Sequence, residues 1–572
     1  MSIFSSLQMA GNTLQAMQIG LHVVGNNIAN ANTPGYVRER AVFAPAPVQK
    51  LGNLTLGLGV EVLGIVQQID KFTESRLRDA AGDRASAEAQ DDVYRTLETI
   101  LSPLNDEASI TALTTNFFNA IHDIANDPDV DSIALRDLAI ESGKLLTQAV
   151  NSLQQRVGTE FQDQDTRVEQ IADEINTLTA QISKLNLQIV TIEGGGASDS
   201  DAGALRSQRG VALKKLAELA DVTINESDTG ITNVNINGEI LIFEATRRQV
   251  EVQQEENNGS VVAEVEFADN GSAFNVGGGE LHGVYEARDG ILGDFLTGLD
   301  DFARALTFEF NKVYSQGQGI SGFETLTSTY RTSDPSAALN AAGLTFVPEN
   351  GKFDLLVYNK TTEESVTHTI SVDLNGSDSE TSLTSLAAAM DAVDGVSAAV
   401  SIDNELVITS DSSDVSFAFE KDTSGILAAL GVNTFFTGSS AGSLGVNQLL
   451  TTGKSPGSLF AASMNGINGE DTGNALQLID LQDEELAGLD GSSILGVYDR
   501  LVNNVSQGAT IAASVADGLR VFEGTLEAGA QGVSGVNLDE EAIDMIQLQR
   551  AYQASARYIQ TLSELLDVLV NL

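Results

Sequence analysis

The first and last stretches of the chain carry the same hydrophobic pattern. Near the start, alternating steps of three and four connect Ile3, Leu7, Ala10, Leu14, Met17, Leu21, Val24 and Ile28, here called the head line. Near the end, the same steps connect Met545, Leu548, Tyr552, Ser555, Ile559, Leu562, Leu566 and Leu569, here called the tail line. This spacing places the side chains along one side of a helix, as in a coiled coil. Because each line needs a cover, we predict that the terminal helices pair with each other.

The predicted head helix has no charged residue. Asp, Glu, Lys and Arg are absent from Ser2 to Val37, and positions away from the head line carry residues such as Asn12, Gln15 and Gln18. A surface helix normally exposes charged side chains, whereas an uncharged helix suits a place surrounded by other protein, where an ion would be costly to desolvate. The pattern fits equally well a neutral helix buried inside one globular domain. The Asn and Gln residues interrupt every apolar window of membrane-spanning length.

Much of the intervening chain is predicted to be helical. Helix predominates from residue 72 to about 220, where a further line of three-four steps runs from Val168 to Ile189. Helical periodicity returns at 294–314 and again from about residue 474 to the end. We expect these amphipathic helices to bundle with one another, because each carries an apolar stripe that must be covered.

Two regions instead show the period of two that is typical of strands. Residues 222–265 alternate in this way and contain Asn237-Gly238, a strong signal for a tight hairpin turn. Residues 325–438 are the most strand-rich part, with one helix predicted near Leu383–Ala392. Because helical segments flank this second region, it is predicted to be an inserted β-rich domain.

The predicted fold class is therefore α+β and multidomain, an elongated molecule with long antiparallel helices. At 572 residues, the chain exceeds the size at which single hydrophobic cores stop growing. We predict residues 1–36 with 536–572 as a terminal coiled-coil domain, 37–70 as an extended β-like linker, 71–324 with 439–535 as a helical bundle domain with a β-hairpin element at 222–265, and 325–438 as the inserted β-rich domain.

Composition excludes several classes of function. The chain has 80 acidic and 31 basic residues, a net charge of −49, which opposes binding to nucleic-acid phosphates. It has no cysteine, so neither a disulfide framework nor thiol chemistry is available. The start lacks the basic residues and the unbroken apolar stretch of a signal peptide. Secretion would thus need a route that leaves the N-terminus intact.

A search for catalytic or metal-binding motifs finds none that is complete. Residues 127–131 imitate the start of an EF-hand loop, but the sixth and twelfth positions are Ser132 and Leu138 rather than Gly and Glu. No phosphate-binding glycine loop and no nucleophile elbow is present. The four histidines lie far apart and have no metal-ligand spacing: His22, His122, His282 and His368. We predict a protein that is not an enzyme and has no catalytic residues, no metal site and no cofactor.

Four segments resemble the flagellar hook-associated protein 1 family, the proteins of the hook–filament junction. The N-terminal signature shared by flagellar rod, hook and hook-associated proteins is matched by Asn26, Asn27, Asn30, Thr33, Pro34, Gly35 and Tyr36. The family's C-terminal motif is matched by Gly535, Asn537, Asp539 and Glu540. The segments Leu205–Arg209 and Gly278–Asp289 resemble the junction proteins specifically. Ser207 and Gly210 depart from the pattern, because the family usually has acidic residues there.

This resemblance implies a structural subunit of the bacterial flagellum. In such proteins the terminal helices pair in the core of a tubular polymer, here through the head and tail lines, and the middle domains face outward. The implied partners are further copies of the chain, hook protein, a second hook–filament junction protein, the flagellar type III export apparatus and a cytosolic export chaperone, with neither nucleic acid nor membrane. The implied location is extracellular, at the hook–filament junction.

Two rival interpretations stay open. The first is another axial protein, such as hook or distal-rod protein, which shares the N-terminal signature. The second is a surface adhesin or an axial protein that carries an enzyme within residues 325–438, the region in which family members differ most.

Overall fold

A computed structural model describes residues 3–51, 54–102, 108–127, 129, 132–257, 260–376, 380–452, 455–464, 471–489 and 491–570. Helices account for 55% of the residues and strands for 19%, which confirms the α+β class. The chain forms two compact units. The first comprises Met1–Val93, Gln162–Gly290 and Thr510–Leu572, and the second comprises Tyr94–Phe161 and Ile291–Ala509. The four-part division based on sequence stays a prediction.

The helices lie close to the predicted segments. Their bounds are α1 Ile3–Asn30, α2 Lys71–Leu101, α3 Ile110–Asn126, α4 Ile133–Glu193, α5 Gly203–Leu219, α6 Gly279–Tyr285, α7 Gly293–Tyr314, α8 Leu383–Asp391, α9 Ile426–Leu430, α10 Gly473–Asp480, α11 Ile494–Ser534 and α12 Leu538–Val570. A π-helical stretch, Glu286–Leu292, joins α6 to α7. Of the acidic run at 127–131, residues 128, 130 and 131 lie outside the described residues.

The strands form small antiparallel sheets. Their bounds are β1 Glu39–Pro45, β2 Val48–Leu51, β3 Leu54–Gly57, β4 Val60–Gln67, β5 Val222–Glu226, β6 Thr232–Ile236, β7 Glu239–Phe243, β8 Thr246–Arg247, β9 Val250–Asn257, β10 Ser260–Phe267, β11 Ser272–Ala273, β12 Thr325–Thr327, β13 Gly351–Asn359, β14 Glu364–Val372, β15 Val396–Val400, β16 Leu406–Ser410, β17 Val415–Glu420, β18 Phe436–Thr437 and β19 Gly445–Val446. Asn237 and Gly238 form the predicted two-residue turn between β6 and β7, and both have positive φ, 44° and 86°.

In the first unit, α1 and α12 pack against each other and run antiparallel. Leu548 methyl carbons lie 3.1 and 3.2 Å from the position of a Cβ added at Gly20. Further along α1, Asn27 contacts Glu541, which comes earlier in α12. The terminal helices therefore pair as predicted, while their winding as a coiled coil stays a prediction. α1 also packs on β1 and β4, which pair with each other.

The core of the first unit is built mainly from α4, α5 and the neighbouring sheets. The predicted line on α4 supplies fully buried residues, Val168, Ile171, Ile175, Ile182 and Ile189. α4 packs with α5 and with strands of two sheets, whose orders are β5-β6-β7-β8 and β11-β10-β9. β1, β4 and α5 belong to the same compact unit as the terminal helix pair. The core of α4 and α5 is therefore the core of the unit that contains the pair.

The second unit has an aromatic core and a β-rich part. Helices α3 and α7 meet the chain after α9 through Phe117, Phe118, Phe310, Tyr314, Phe435, Phe436 and Phe460. Within residues 325–438, the sheets β12-β16-β15 and β14-β13-β17 enclose one apolar core with α8 and α9. α8 begins at a capping box made by Ser382 and Ser385, close to the predicted helix boundary.

Candidate assembly site at the terminal helices

The N-terminal signature forms the end of α1 and the turn that follows it. Asn30 Nδ2 donates to the backbone oxygen and to Oδ1 of Asn26, both at 3.0 Å, which closes the last turn of the helix. Thr33, Pro34 and Gly35 then form an exposed turn. Gly35 has φ 73°, and a Cβ there would lie 2.2 Å from Val211 Cγ2, so this position requires glycine. The turn directs the chain into β1.

Asn27 is the polar centre of the site and is buried. Its Nδ2 donates to the backbone oxygen of Glu39 at 2.9 Å and to Glu541 Oε2 at 3.1 Å. Its Oδ1 accepts from Tyr36 Oη at 2.9 Å and from the backbone nitrogen of Glu39 at 3.0 Å. Both amide hydrogens and both lone pairs are therefore used. One side chain thus links α1, the turn, β1 and α12.

Arg38 makes the charged half of the same site. Its Nε donates to Glu541 Oε1 at 2.6 Å, and its Nη1 donates to Glu540 Oε2 at 2.9 Å. The side chain of Glu541 is 1% exposed, whereas that of Glu540 is 58% exposed. Burial alone would lower the pKa of Arg38, but the two carboxylates outweigh it, and the pKa is raised. A backbone bond from Arg38 N to Ser534 O, 2.9 Å, adds α11 to the contact.

The C-terminal motif shapes the start of α12. The backbone nitrogen of Gly535 donates to Gln531 O at 2.8 Å, at the end of α11. Asn537 Oδ1 accepts from the backbone nitrogen of Asp539 at 3.0 Å, as an N-cap side chain does. Asp539, Glu540 and Glu541 occupy the first turn of α12, where the helix dipole favours negative charge.

We call Asn27, Tyr36, Arg38, Glu39 and Glu541 the terminal clamp.

The head and tail lines lie on the two helices that pack against each other, α1 and α12, and differ in their burial. On the tail line Leu562 is buried and the side chain of Leu569 lies outside the described residues; half-buried members are Met545, Leu548, Tyr552, Ser555, Ile559 and Leu566. On the head line Ala10 and Val24 are buried; half-buried members are Ile3, Leu7, Leu14, Met17, Leu21 and Ile28. The deepest positions of α1 also include a line of mostly small residues one position earlier, Ala16, Gly20, Val23 and Asn27. At Gly20 the absence of a side chain leaves room for Leu548 of α12.

Sequence reasoning did not predict that Arg38 and Glu541 pair with each other. Arg38 is the first charged residue of the chain, which is the signal that singles it out. Glu541 adjoins Glu540 in the C-terminal motif, but it is its burial that distinguishes it. Gly20 carried no sequence signal, because its role is to leave room for Leu548.

The segment Leu205–Arg209 contacts the start of the linker. Arg206 Nη1 and Arg209 Nη2 both donate to Glu226 Oε1, at 2.6 and 2.7 Å, which ties α5 to β5. Ser207, one of the positions that depart from the family pattern, accepts a 3.3 Å hydrogen bond from the backbone nitrogen of Val37. The departure therefore lies beside the terminal clamp, with a polar contact to Val37, which stands between the clamp residues Tyr36 and Arg38.

The segment Gly278–Asp289 supplies a buried cation to the first unit. The guanidinium of Arg288, in the π-helical stretch, is fully buried and contacts three carboxylates. The distances are 2.9 Å to Asp165, 2.7 Å to Glu264 and 2.7 Å to Asp289. A buried charge with this many partners is typical of a structural ion-pair cluster.

Other features of the described chain offer no arrangement for chemistry. A cavity of about 690 Å³ in the first unit is lined by Glu88, Asp92, Asp173, Glu218 and others. Among the described residues, no group of three or more His, Asp or Glu side chains is placed to hold a metal ion. Nor does any helix within the described ranges have the length and hydropathy to cross a membrane.

We expect Tyr36 to ionise late. Burial, followed by the charges of Glu39 and Glu541, raises the pKa of Tyr36 from 10.0 to about 12. The stability that this hydroxyl contributes is therefore present below pH 10 and is lost as pH rises through 12, because the unfolded chain releases the proton first. The pKa of Tyr36 is measured by the difference in phenolate absorbance between wild type and Tyr36→Phe during a pH titration. A midpoint near pH 10 would contradict the clamp geometry.

Comparisons with known proteins agree with this site. The profile of the "Flagella basal body rod protein" family matches residues 7–36, and that of "Flagellar basal body rod FlgEFG protein C-terminal" matches 527–572. These are the two helices that the terminal clamp joins. The profile of the "Flagellar hook-associated protein FlgK helical domain" matches residues 94–326.

Full-length relatives carry one name. Flagellar hook-associated protein 1 of Escherichia coli (strain K12) is 25% identical over 587 residues, covering 98% of each chain. The protein of that name from Bacillus subtilis (strain 168) is 22% identical over 607 residues, covering 100% of this chain and 98% of its own. The flagellar hook junction protein FlgK from Burkholderia pseudomallei matches in structure with a TM-score of 0.50 and 14% identity, over 80% of this chain and all of that one, and supports the fold alone.

Paired terminal helices that match rod-protein profiles at both ends define a flagellar axial protein. Among axial proteins, the central helical domain and the full-length relatives separate this chain from hook and rod proteins. Over nearly its full length the chain is similar to proteins named flagellar hook-associated protein 1.

Proposed function

We propose that this protein is a structural subunit of the bacterial flagellum that joins hook to filament and polymerises through its terminal helices. The observation that carries the proposal is the terminal clamp, which holds both ends of the chain in one helix pair. Similarity over nearly the full length to proteins named for the hook-associated position is the second support. The relatives' names describe structural proteins, and we propose that this chain has no catalytic role and no cofactor.

The outer side of the helix pair is suited to contact with neighbouring copies. On α1 the exposed positions Phe4, Gln8, Gly11, Gln15, Gln18 and His22 lie on one side and include no Asp, Glu, Lys or Arg. On α12 the exposed apolar residues include Ile543, Ile546 and Leu565. Exposed apolar groups of this kind mark interaction surfaces. Contact between copies of a chain with net charge −49 is favoured where the surface is uncharged.

The head and tail lines then have a role in assembly, which we propose for Leu7, Leu14, Met17, Leu21, Val24 and Ile28 with Met545, Leu548, Tyr552, Ile559, Leu562, Leu566 and Leu569. They hold the helix pair together, and the pair presents the outer surface to neighbours. Hook protein and a second junction protein are the proposed axial partners. Export through the flagellar type III apparatus, with a cytosolic chaperone, is the proposed route to the outside.

Localisation on intact flagella tests the proposed function. A strain that lacks the gene is complemented with the epitope-tagged chain, and gold-labelled antibody is imaged on isolated hook–filament structures. We expect label confined to a short zone where hook meets filament, and restored filaments and motility. Label along the hook or on the rod would instead support another axial role, and absence of label from flagella would reject the proposal.

A further inference from the structure

Helix α11 carries a line of three-four steps that stays exposed in the first unit, with the Arg76 guanidinium of α2 5.9 Å from the ring centroid of Phe522 at its middle. Its inner side is buried at Ala516 and Ala530, and at Glu523, which pairs with Arg84 and Lys214. The outer side is exposed at every position of the line Ile511, Val515, Gly518, Phe522, Thr525, Gly529 and Gly532, here called the outer line. Ile511 is 56% exposed, Val515 48% and Phe522 43%. Large apolar side chains at helical spacing thus face outward.

The glycines of the outer line have no local explanation. Their φ angles lie outside the left-handed region, and a Cβ added at Gly518, Gly529 or Gly532 would meet nothing within 4 Å. Glycine is among the least favourable residues in a helix interior. It is useful where a second backbone must come close, since small residues at helix contacts allow that approach. The outer line therefore combines exposed apolar side chains with glycines at which the backbone of a second helix can approach closely.

Charge identifies the kind of partner. The outer line includes no charged residue, although the chain has 80 acidic residues. Two copies of such a chain repel each other, so a contact between copies must use surfaces that lack acidic side chains. A basic partner would gain nothing from an uncharged line. The line also ends next to the turn at Gly535–Asn537 and the terminal clamp, and is thus continuous with the helix pair proposed to contact neighbours.

We infer that the outer line of α11 is a docking surface for a helix from a second copy of this chain. The inference rests on the proposed function, because it adds a contact to the same polymer. From Ile511 to Gly532 the line extends about 32 Å at roughly 1.5 Å per residue, enough for six turns of a packed helix.

The glycines allow a test that separates folding from assembly. In the Gly518→Leu/Gly529→Leu variant the new side chains enter open space in the isolated chain, so its melting temperature should equal or exceed that of wild type. In the polymer they would hold the second helix away. We expect the variant to reach the medium, and its amount in isolated flagella to fall at least tenfold.

Gly524→Leu is the matched control. Gly524 lies on the same helix, and its Cβ position is also open, but it lies off the outer line. It should be incorporated like wild type. Incorporation of the double variant at the wild-type level would overturn this inference and leave the proposed function intact. Absence of the wild-type chain from the junction would instead overturn the proposed function.

Cysteine labelling gives a second measurement that does not disturb packing. The chain has no cysteine, so a single Thr525→Cys substitution introduces the only thiol. Maleimide should label this variant rapidly as a dissolved chain and at least tenfold more slowly in isolated flagella, relative to Gly524→Cys in the same two states. An unchanged ratio would overturn the inference.

Discussion

Leu562→Asp is expected to separate the terminal helices and to exclude the protein from the flagellum. Leu562 is 7% exposed and lies on the tail line of α12, the helix that packs against α1. α1 has no Lys or Arg, so the new carboxylate would have no permanently charged cation to pair with there. Losing a buried leucine costs roughly 2–5 kcal/mol, and burying an unpaired carboxylate costs more. The cores of α4 and of the aromatic cluster do not include this residue and should remain folded.

Hydrogen exchange and fractionation measure the effect of Leu562→Asp. In the isolated variant, amides of α1 and α12 should exchange rapidly while those of α4 stay protected, and immunoblots should find the chain in the medium. Leu565→Asp is the control for the isolated chain, because Leu565 is 56% exposed on the outer side of α12 and its change should leave exchange in α1 unaltered. Wild-type protection of α1 together with normal incorporation of Leu562→Asp would contradict the role of the pair.

Periodicity predicted the elements of this fold well where one repeat continues for several turns. The tail line lies on α12, which packs against α1, and the line on α4 from Val168 to Ile189 is mostly buried. The turn at Asn237-Gly238 was predictable for a different reason, since both residues tolerate positive φ. In the inserted region, α8 begins at Leu383, as predicted, and the strands lie on both sides of it.

The orientation of α1 was less predictable, because apolar periodicity ranks large side chains first. In the structure Leu548 of α12 packs against Gly20, which a hydrophobic pattern does not select. The same bias hides the outer line of α11, where three glycines interrupt the apolar residues. A small residue stabilises a helix contact by letting another helix come close. Which helix does so is not evident from the local sequence.

The terminal clamp was beyond sequence reasoning because its partners are distant along the chain. Asn27 and Glu541 are 514 positions apart, and Arg38 and Glu541 are 503 apart. Arg38 was evident as the first charge, yet 80 acidic residues were available to pair with it, and charge alone does not choose among them. The burial of Glu541 distinguishes it from the other acidic residues as the partner of Arg38. Folding excludes water from Glu541, and only a carboxylate with several donors is stable there.

The N-terminal signature and the start of α12 are thus joined by direct contacts of Asn27 and Arg38 with Glu541. An aspartate at position 27 would lose the donors that reach Glu541 and the backbone of Glu39, and a leucine would also lose the acceptor used by Tyr36. The asparagine is needed because it donates and accepts at once. The N-terminal signature is therefore complete only when α12 supplies a carboxylate, which couples the two ends of the chain.

Glu541→Ala is expected to release α12 from the rest of the clamp. The substitution removes the acceptor for Asn27 Nδ2 and for Arg38 Nε, which leaves a buried amide and a largely buried guanidinium without that partner. Breaking a buried pair costs roughly 3–5 kcal/mol, and the lower end applies because the side chain of Arg38 is 17% exposed and keeps some contact with water. Amides at the start of α12 and the end of α1 should lose their protection from hydrogen exchange, and incorporation into flagella should fall with it.

Glu540→Ala is the matched control, because it removes a neighbouring carboxylate from the same arginine. The side chain of Glu540 is 58% exposed, so its pair with Arg38 is worth about 1 kcal/mol or less, and this variant should assemble normally. Glu541→Gln should lie between the two, since it keeps an acceptor for Asn27 but loses the ion pair. Equal protection factors for Glu541→Ala and Glu540→Ala would show that burial does not distinguish these glutamates, and would remove the physical basis for coupling the two ends of the chain.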